Sequence, residues 1–161
     1  MILDRQRTVR VALRPLESFL NRVRNTLRLQ KTDATICLVS DAEIARMNEA
    51  FRKKRGPTDV LSFPAIERHR PVRLKYGRRA GALGKRSRGN TRKIAAMYLG
   101  DIAISPATAR RNAKQDGRAL QTELQMLILH GVLHLLGYDH ETDRGQMKRL
   151  EQQLRQRFGL A

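Results

Sequence analysis

The eleven residues from His130 to His140, HGVLHLLGYDH, contain three of the four histidines in this 161-residue chain. His130 and His134 are four positions apart, so an α-helix through them places both imidazoles on one face. Gly137 suits the left-handed turn that ends such a helix. We expect this turn to reverse the chain and to bring His140 back towards the other two rings.

Three histidines at this spacing predict a metal site. Three neutral imidazoles with an open fourth position are the ligand set of a catalytic zinc ion, whereas a structural zinc site has four protein ligands. Packing alone does not explain the spacing, because each buried imidazole without a partner would cost about 1–3 kcal/mol. We expect His130, His134 and His140 to bind zinc, with nickel or another divalent metal as the alternative. Asp139 and Glu141 lie beside them, either to orient a ligand or accept a proton, or to stabilise the turn.

The same spacing, H-x-x-x-H-x-x-G-x-x-H, occurs in zinc proteases, whose general base is a glutamate directly after the first histidine. That position is Gly131 in this chain, which argues against peptide hydrolysis. A metal ion at this place still supplies a Lewis acid for a phosphoryl oxygen and an activated water. A metallopeptidase is therefore disfavoured, and it remains one rival interpretation.

The chain is strongly basic, since 33 Lys and Arg against 15 Asp and Glu give a formal net charge of +18. Eleven of these basic residues lie between Arg68 and Lys93, where no acidic residue occurs. Such a block attracts a phosphate backbone, although it is also typical of a solvated loop. We expect nucleic acid as the partner, and a single domain over residues 1–161 with a basic insertion at about 65–96.

Composition also indicates where the protein works. No apolar run approaches the roughly 20 residues of a membrane span, and the N-terminal sequence lacks the apolar centre of a signal peptide. The single cysteine, Cys37, rules out an internal disulfide and fits a reducing compartment. We therefore expect a cytoplasmic protein that does not bind membranes.

Hydrophobic periodicity predicts an α+β fold, in which a small mixed β-sheet packs with about five helices. Strands are expected at residues 7–13, 34–40, 58–63 and 97–105. Helices are expected at 14–29, at 41–52, from 106 onward, at about 120–136 and at about 142–158. Ser40 with Glu43 forms a capping box, and Ser105 with Pro106 is typical of a helix start. The fourth helix is apolar nearly all round and therefore buried, with the metal site at its end.

Three stretches of the sequence carry a resemblance to a known family: HGVLHLLGYDH (130–140), MNEAFRKKRGPTDVLSFP (47–64) and LGDIAIS (99–105). The first is similar to the signature of the YbeY endoribonucleases, the bacterial and organellar rRNA maturation factors, and the other two agree with that family and follow its order. The resemblance implies a single-domain, zinc-dependent endoribonuclease that cleaves single-stranded RNA. It further implies roles in 16S rRNA 3′-end maturation and in ribosome quality control, with an rRNA precursor and the ribosome or its small subunit as partners.

The resemblance also assigns residue roles. The family's zinc ligands fall on His130, His134 and His140, and its functionally important arginine, in a Tyr-Arg-Gly context, falls on Arg52 within FRK. Arg52 and His130 are therefore the expected catalytic residues, and Arg52 would stabilise charge on the phosphoryl oxygens. The family's linker is shorter than the basic insertion, which either adds phosphate contacts or is only a solvated spacer. The expected RNA-binding residues are Arg52, Arg73, Arg78, Arg79, Lys85, Arg86 and Arg88.

A second rival is a non-catalytic ribosome assembly factor that zinc stabilises, with the basic insertion supplying the function. A protein ligand at the fourth coordination position, such as Asp139 or Glu141, would favour this role, whereas an open position favours the enzyme. Thr58, Asp59 and Asp101 either hold the sheet edge or touch the substrate. Whether the nucleophile is water or the 2′-hydroxyl of the RNA does not follow from the sequence.

Overall fold

A four-stranded sheet organises the computed structural model, which describes residues 1–66 and 97–160. The sheet has the order β1-β2-β4-β3. Strands β1 and β4 run parallel to β2, whereas β3 is antiparallel to β4, so the sheet is mixed, as predicted. The strands are β1 (Ile2–Asp4), β2 (Thr32–Leu38), β3 (Val60–Pro64) and β4 (Met97–Ile104).

Five helices within the described residues cover this sheet and complete the predicted α+β fold. They are α1 (Leu13–Thr26), α2 (Asp41–Arg52), α3 (Pro106–Gln115), α4 (Leu120–Leu135) and α5 (Gln146–Phe158). Helix α4 is the central one, because it contacts β3, β4, α1, α3 and α5. Its side chains Leu124, Ile128 and Leu129 are fully buried, which confirms the prediction that it lies in the core.

Helices α2 and α3 begin where the capping residues predict. The Ser40 hydroxyl accepts a hydrogen bond from the Glu43 N–H at 3.2 Å, and the Ser105 hydroxyl accepts one from the Thr108 N–H at 3.2 Å. Each bond satisfies one of the backbone donors that a helix start leaves unpaired. Pro106 occupies the first turn of α3, where its missing N–H costs nothing.

The predicted strand at residues 7–13 is wrong. The strand at this end of the chain is β1, in which Ile2 lies opposite Ile36 of β2. The segment after β1 is held in a turn instead, because the Gln6 side-chain oxygen accepts the N–H groups of Thr8 and Val9, both at 2.9 Å. A local side-chain hydrogen bond therefore competes successfully with strand pairing.

The last helix starts later than predicted, at Gln146 instead of 142. Asp143 caps it, since its carboxylate accepts the N–H groups of Gly145, Gln146 and Met147 at 2.7–2.9 Å. Gly145 takes a positive φ of 80° directly before the helix. The residues between α4 and α5 therefore belong to neither helix, and they form the turn that carries His140.

In the sequence the basic insertion lies between β3 and β4, and its residues 67–96 are outside the described residues. These two strands pair with each other, with Pro64 opposite Gly100. The Ala65 N–H extends the pairing by donating to the Leu99 carbonyl at 2.9 Å. The segment between Ile66 and Met97 therefore connects two neighbouring antiparallel strands.

The apolar character of α4 reflects burial in the core. In the described part of the chain, no helix has both the length and the hydropathy needed to cross a bilayer. Helix α4 itself has 16 residues, whereas a span needs about 20.

Candidate metal centre

Three imidazoles meet at the C-terminal end of α4. The Nε2 atoms of His130 and His134 are 3.1 Å apart, and the ring centroid of His140 is 5.5 Å from that of His130 and 5.3 Å from that of His134. One ligand nitrogen of each ring lies within 4.8 Å of the other two. The structure therefore brings together the three histidines that the sequence singled out.

The reversal that returns His140 occurs at Gly137. This glycine has a φ of 88°, and its N–H donates to the His134 carbonyl at 2.9 Å. The N–H of Tyr138 donates to the Leu133 carbonyl at 3.1 Å, which completes a Schellman motif. The last carbonyls of α4 are thus satisfied while the chain turns back across the helix end.

Glu151 of α5 supports His130 from the side opposite the cluster. Its Oε2 lies 3.2 Å from Nδ1 of His130, and its Oε1 accepts two hydrogen bonds from Arg155, at 2.6 and 3.1 Å. A carboxylate that accepts a hydrogen bond from Nδ1–H favours the tautomer in which Nε2 is unprotonated and free for a metal ion. Sequence reasoning missed Glu151. The sequence pattern that could have found it is its position on the same buried face of α5 as Met147 and Leu154.

Burial keeps the cluster ready to bind a cation. The pKa of His134 is lowered to about 4, first by burial and then by the neighbouring His130 and His140 rings, so His134 is neutral at physiological pH. Burial raises the pKa of Glu151, but the hydrogen bond to His130 and the Arg155 guanidinium outweigh it and keep the carboxyl ionised. Three converging imidazoles, one of them anchored by a carboxylate, fit a divalent transition-metal ion.

Asp139 stabilises the turn that carries His140, and Glu141 forms an ion pair in the groove. Asp139 accepts hydrogen bonds from the Glu141 N–H and from the Thr142 hydroxyl, each at 3.0 Å. The backbone hydrogen bond from Glu141 is the main reason why the pKa of Asp139 is lowered. Glu141 pairs with Arg52 at 3.1 Å. In residues 1–66 and 97–160, no carboxylate or thiolate joins the three imidazoles, so the cluster supplies three protein ligands.

The histidine cluster opens into a groove of about 910 Å³. Arg52, at the C-terminal end of α2, lines the same groove, and its side chain is 43% exposed. The structure thus places the predicted arginine beside the predicted metal ligands, with a guanidinium accessible to a phosphate. Further lining residues, which the sequence did not assign to the site, are Phe51, Ser62, Phe63, Pro64, Ile66 and Tyr138.

Thr58 and Asp59 also line the groove, while holding its edge in place. Asp59 accepts hydrogen bonds from the Thr58 hydroxyl at 3.3 Å and from the Asn112 amide at 3.2 Å. Asp101 is bound by the Tyr98 hydroxyl at 2.6 Å on the sheet. These contacts hold both aspartates in place, and Asp59 in addition faces the groove.

Close packing between α4 and β4 explains why residue 131 is a glycine. A Cβ atom there would lie 2.8 Å from two atoms of the Ile102 side chain, because α4 crosses β4 closely at this point. Any larger residue, including the glutamate that a zinc protease needs at this position, would force the Ile102 side chain to move. The peptidase rival is therefore opposed by the packing as well as by the sequence.

Comparison with known proteins agrees with this geometry. A family model described as "Endoribonuclease YbeY" matches residues 2–159. The chain belongs to the YbeY family. It is 42% identical to the Endoribonuclease YbeY of Solibacter usitatus, over 76% of this chain and 64% of that protein. It is 32% identical to the Endoribonuclease YbeY of Sulfurovum sp., over 98% of this chain and 90% of the relative.

A solved structure has a similar fold. The solution structure of TM1509 from Thermotoga maritima matches with a TM-score of 0.55 and 25% identity, over 95% of this chain and 85% of the other. The resemblance to the YbeY family that the sequence motifs indicated is thereby confirmed, together with the fold class.

One departure from the YbeY pattern is explained by the backbone. Lys53, which stands where the family pattern has glycine after the arginine, ends α2 in the left-handed region with a φ of 56°. The buried Asn48 donates to the Gly56 carbonyl at 3.0 Å and closes the loop that follows. The turn beside Arg52 therefore forms without a glycine at its first position.

The remaining predicted RNA-binding residues lie outside the described residues. They are Arg73, Arg78, Arg79, Lys85, Arg86 and Arg88.

Proposed function

We propose that this chain is a metal-dependent endoribonuclease that cleaves single-stranded RNA, with one zinc ion bound by His130, His134 and His140. The observation that carries the proposal is the shared groove, which the three imidazoles and the Arg52 guanidinium line together. Membership of a family whose relatives are named endoribonucleases supports phosphodiester cleavage. Nickel or another divalent metal is the alternative cofactor.

The chemistry divides between the ion and the protein. A divalent ion in the cluster supplies a Lewis acid for a phosphoryl oxygen and an activated water. Glu151 orients His130 for binding the ion, because its carboxylate lies in position to accept a hydrogen bond from Nδ1–H and thereby keeps Nε2 free. Arg52 donates hydrogen bonds to the non-bridging phosphate oxygens, where its planar guanidinium suits two oxygens at once. Without RNA, Arg52 pairs with Glu141. When RNA binds, the phosphate replaces Glu141 as the partner, so Arg52 is paired with an anion in both states.

In the cell, we propose that this activity serves 16S rRNA 3′-end maturation and ribosome quality control in the cytoplasm. The partners would be an rRNA precursor and the ribosome or its small subunit. The similarity of the motif segments to those of the family supports this role, as does the formal net charge of +18. The basic insertion of the single domain, at about residues 65–96, begins beside the groove, since Ile66 lines it. We propose that its cations hold RNA near the site through sequence-independent phosphate contacts.

Replacing His134 by Ala tests the metal and the activity together. His134→Ala should abolish both bound metal, measured by elemental analysis, and cleavage of single-stranded RNA. His69→Ala, which removes the one histidine outside the cluster, is the matched control and should retain both. Cleavage that persists in metal-free His134→Ala protein would refute the scheme.

Replacing Arg52 by Ala separates catalysis from stabilisation by metal. Arg52→Ala should keep its metal while kcat falls about 100- to 1,000-fold, the usual loss for one donor to developing charge. Lys54→Ala is the control for loss of a nearby cation. If the wild-type chain binds zinc and cleaves no RNA, the assembly-factor rival is favoured. A parallel casein digestion assay tests the peptidase rival.

A further inference from the structure

Two aromatic rings line the groove together with the histidine cluster. Phe51, at the end of α2, contacts Phe63 of β3 with the ring centroids 4.9 Å apart and the ring planes at 70°. Pro64 and Ile66 extend this apolar wall. Phe51 is 69% exposed, more than any other large apolar side chain in the described residues.

The exposure of Phe51 contrasts with the anchoring of its partner. Phe63 is partly buried and packs against the small core cluster formed by Val39, Ile44, Leu61 and Ala103. Phe63 is therefore held by the core, and it supports Phe51 through an edge-to-face contact. Most of the Phe51 ring faces solvent, where it buries little surface of its own chain.

Cations follow this ring directly in the sequence. Residues 52–55, Arg-Lys-Lys-Arg, are all exposed. Arg52 reaches from the position after Phe51 to Glu141, the residue after His140. An aromatic ring, a phosphate-binding guanidinium and the metal ligands thus share one groove. Sites for single-stranded nucleic acid combine these features, because cations hold the backbone while bases stack on aromatic rings.

We propose that Phe51, supported by Phe63, is a stacking site for one unpaired nucleobase next to the phosphate that Arg52 and the histidine cluster receive. The inference rests on the proposed nuclease function and defines a substrate subsite for it. Stacking on a side chain requires a base that is splayed out of a helix, which favours single-stranded over double-stranded RNA. Because every base has a π-face, the site accepts all four bases and gives only a modest sequence preference.

A cycle of protein and RNA changes tests this subsite. Phe51→Leu keeps an apolar contact for Phe63 but removes the π-face, whereas Phe51→Trp keeps one. On an RNA oligonucleotide with one mapped cleavage position, Phe51→Leu should lose about 5- to 100-fold in kcat/KM, and Phe51→Trp should stay near wild type. A series of oligonucleotides, each lacking one base beside the cleavage position, then locates the stacked nucleotide.

At that nucleotide, removing the base should cost the wild type the same factor and should cost Phe51→Leu nothing further. Tyr98→Leu is the control, because Tyr98 is an exposed aromatic residue that does not line the groove, and it should match the wild type. If the wild type cleaves RNA and Phe51→Leu cleaves it equally well, the stacking site is wrong and the nuclease function stands. If the wild type cleaves no RNA, the proposed function fails and this inference with it.

If Phe51 only stabilised its own chain by packing, the same measurements would give a different pattern. Phe51→Leu would then lower the unfolding temperature of the RNA-free protein, and its loss of kcat/KM would be equal on intact and base-deleted RNA. That combination would also overturn the stacking site.

Discussion

His130 uses both of its ring nitrogens. Nδ1 faces Glu151 on α5, while Nε2 lies 3.1 Å from Nε2 of His134. Glu151 is only 9% exposed, and Arg155 donates to its other oxygen. This chain of polar contacts determines the orientation of the ring and the nitrogen that carries its proton, both of which a metal ligand requires.

Replacing Glu151 by Gln should weaken zinc binding about 10- to 100-fold, the usual cost of losing such a supporting carboxylate. The amide keeps the shape of the side chain but removes the charge that favours a proton on Nδ1. The zinc dissociation constant can be measured by competition with a chelator. Glu17→Gln, an exposed change on α1, is the matched control. Equal affinities in the two variants would show that His130 needs no carboxylate.

At the scale of the elements, the close crossing of α4 over β4 depends on Gly131. Gly131→Ala should gain up to about 1 kcal/mol of helix propensity. It should lose about 1–3 kcal/mol by overpacking against Ile102, whose side-chain atoms would lie 2.8 Å from the new Cβ. Because the overpacking loss exceeds the helix-propensity gain over most of its range, we expect net destabilisation of up to about 2 kcal/mol in urea denaturation.

A double variant separates the two contributions. Ile102→Val removes one of the two colliding atoms, so Gly131→Ala should cost less in that background than in the wild type. Strict additivity of the two single changes would contradict the collision.

Asp41 joins the starts of α2 and α3. Its carboxylate accepts hydrogen bonds from the hydroxyls of Ser105 and Thr108 and from the Arg111 guanidinium, the last at 2.9 Å. Burial raises the pKa of Asp41, but these three hydrogen bonds outweigh it and hold the pKa below its usual value. The link keeps α3 next to α2, whose other end carries Phe51 and Arg52.

The stability that Asp41 contributes should depend on pH. Because its pKa is lower in the folded than in the unfolded state, the contribution is complete above the unfolded value, about 3.9. It is lost as the pH falls through the folded value. Asp41→Asn should therefore lower the free energy of unfolding by about 1–3 kcal/mol at pH 7, and the difference should shrink below about pH 4. Urea denaturation across this range measures it, and a constant difference down to pH 2 would contradict the assignment.

At the scale of the whole molecule, charge is distributed unevenly. Eleven of the 33 basic residues lie between Arg68 and Lys93, and this segment enters the chain between the two paired strands β3 and β4. The groove lies beside β3, several of whose residues line it. The segment therefore leaves the described structure at Ile66, which lines the groove, and re-enters it at Met97, the first residue of β4.

Neutralising the insertion should flatten the salt dependence of RNA binding. A variant with six cations replaced by Gln keeps the length of the segment, and deletion of residues 70–92 removes it. Each lost phosphate contact should reduce the slope of log K against log salt by about 0.7 for single-stranded RNA. Zinc content should not change. An unchanged slope would show that the segment is only a solvated spacer. The six residues are Arg73, Arg78, Arg79, Lys85, Arg86 and Arg88.

Local sequence signals predicted the parts of the fold that local interactions control. Helix α2 has the predicted bounds because the Ser40 cap acts within one turn. The convergence of His130, His134 and His140 follows from a four-residue helical spacing and one left-handed glycine. At the start of the chain, where a distant partner decides the structure, the strand prediction failed. Strand β1 forms at residues 2–4 because β2 is available there, and the stretch at 7–13 has a strand-like composition but no strand beside it.

The sequence by itself determined the three-histidine cluster, the α+β class, the buried α4 and the family, because each depends on short spacings or on motifs in the chain. Only the tertiary structure decided that Glu151 holds His130, that Arg52 and Phe51 share the histidine groove, and that Gly131 is required by Ile102. The physical reason is that hydrogen bonds and packing between distant residues depend on how α2, α4, α5 and the sheet lie against one another. That arrangement is set by burial of the whole core, which no single stretch of sequence contains.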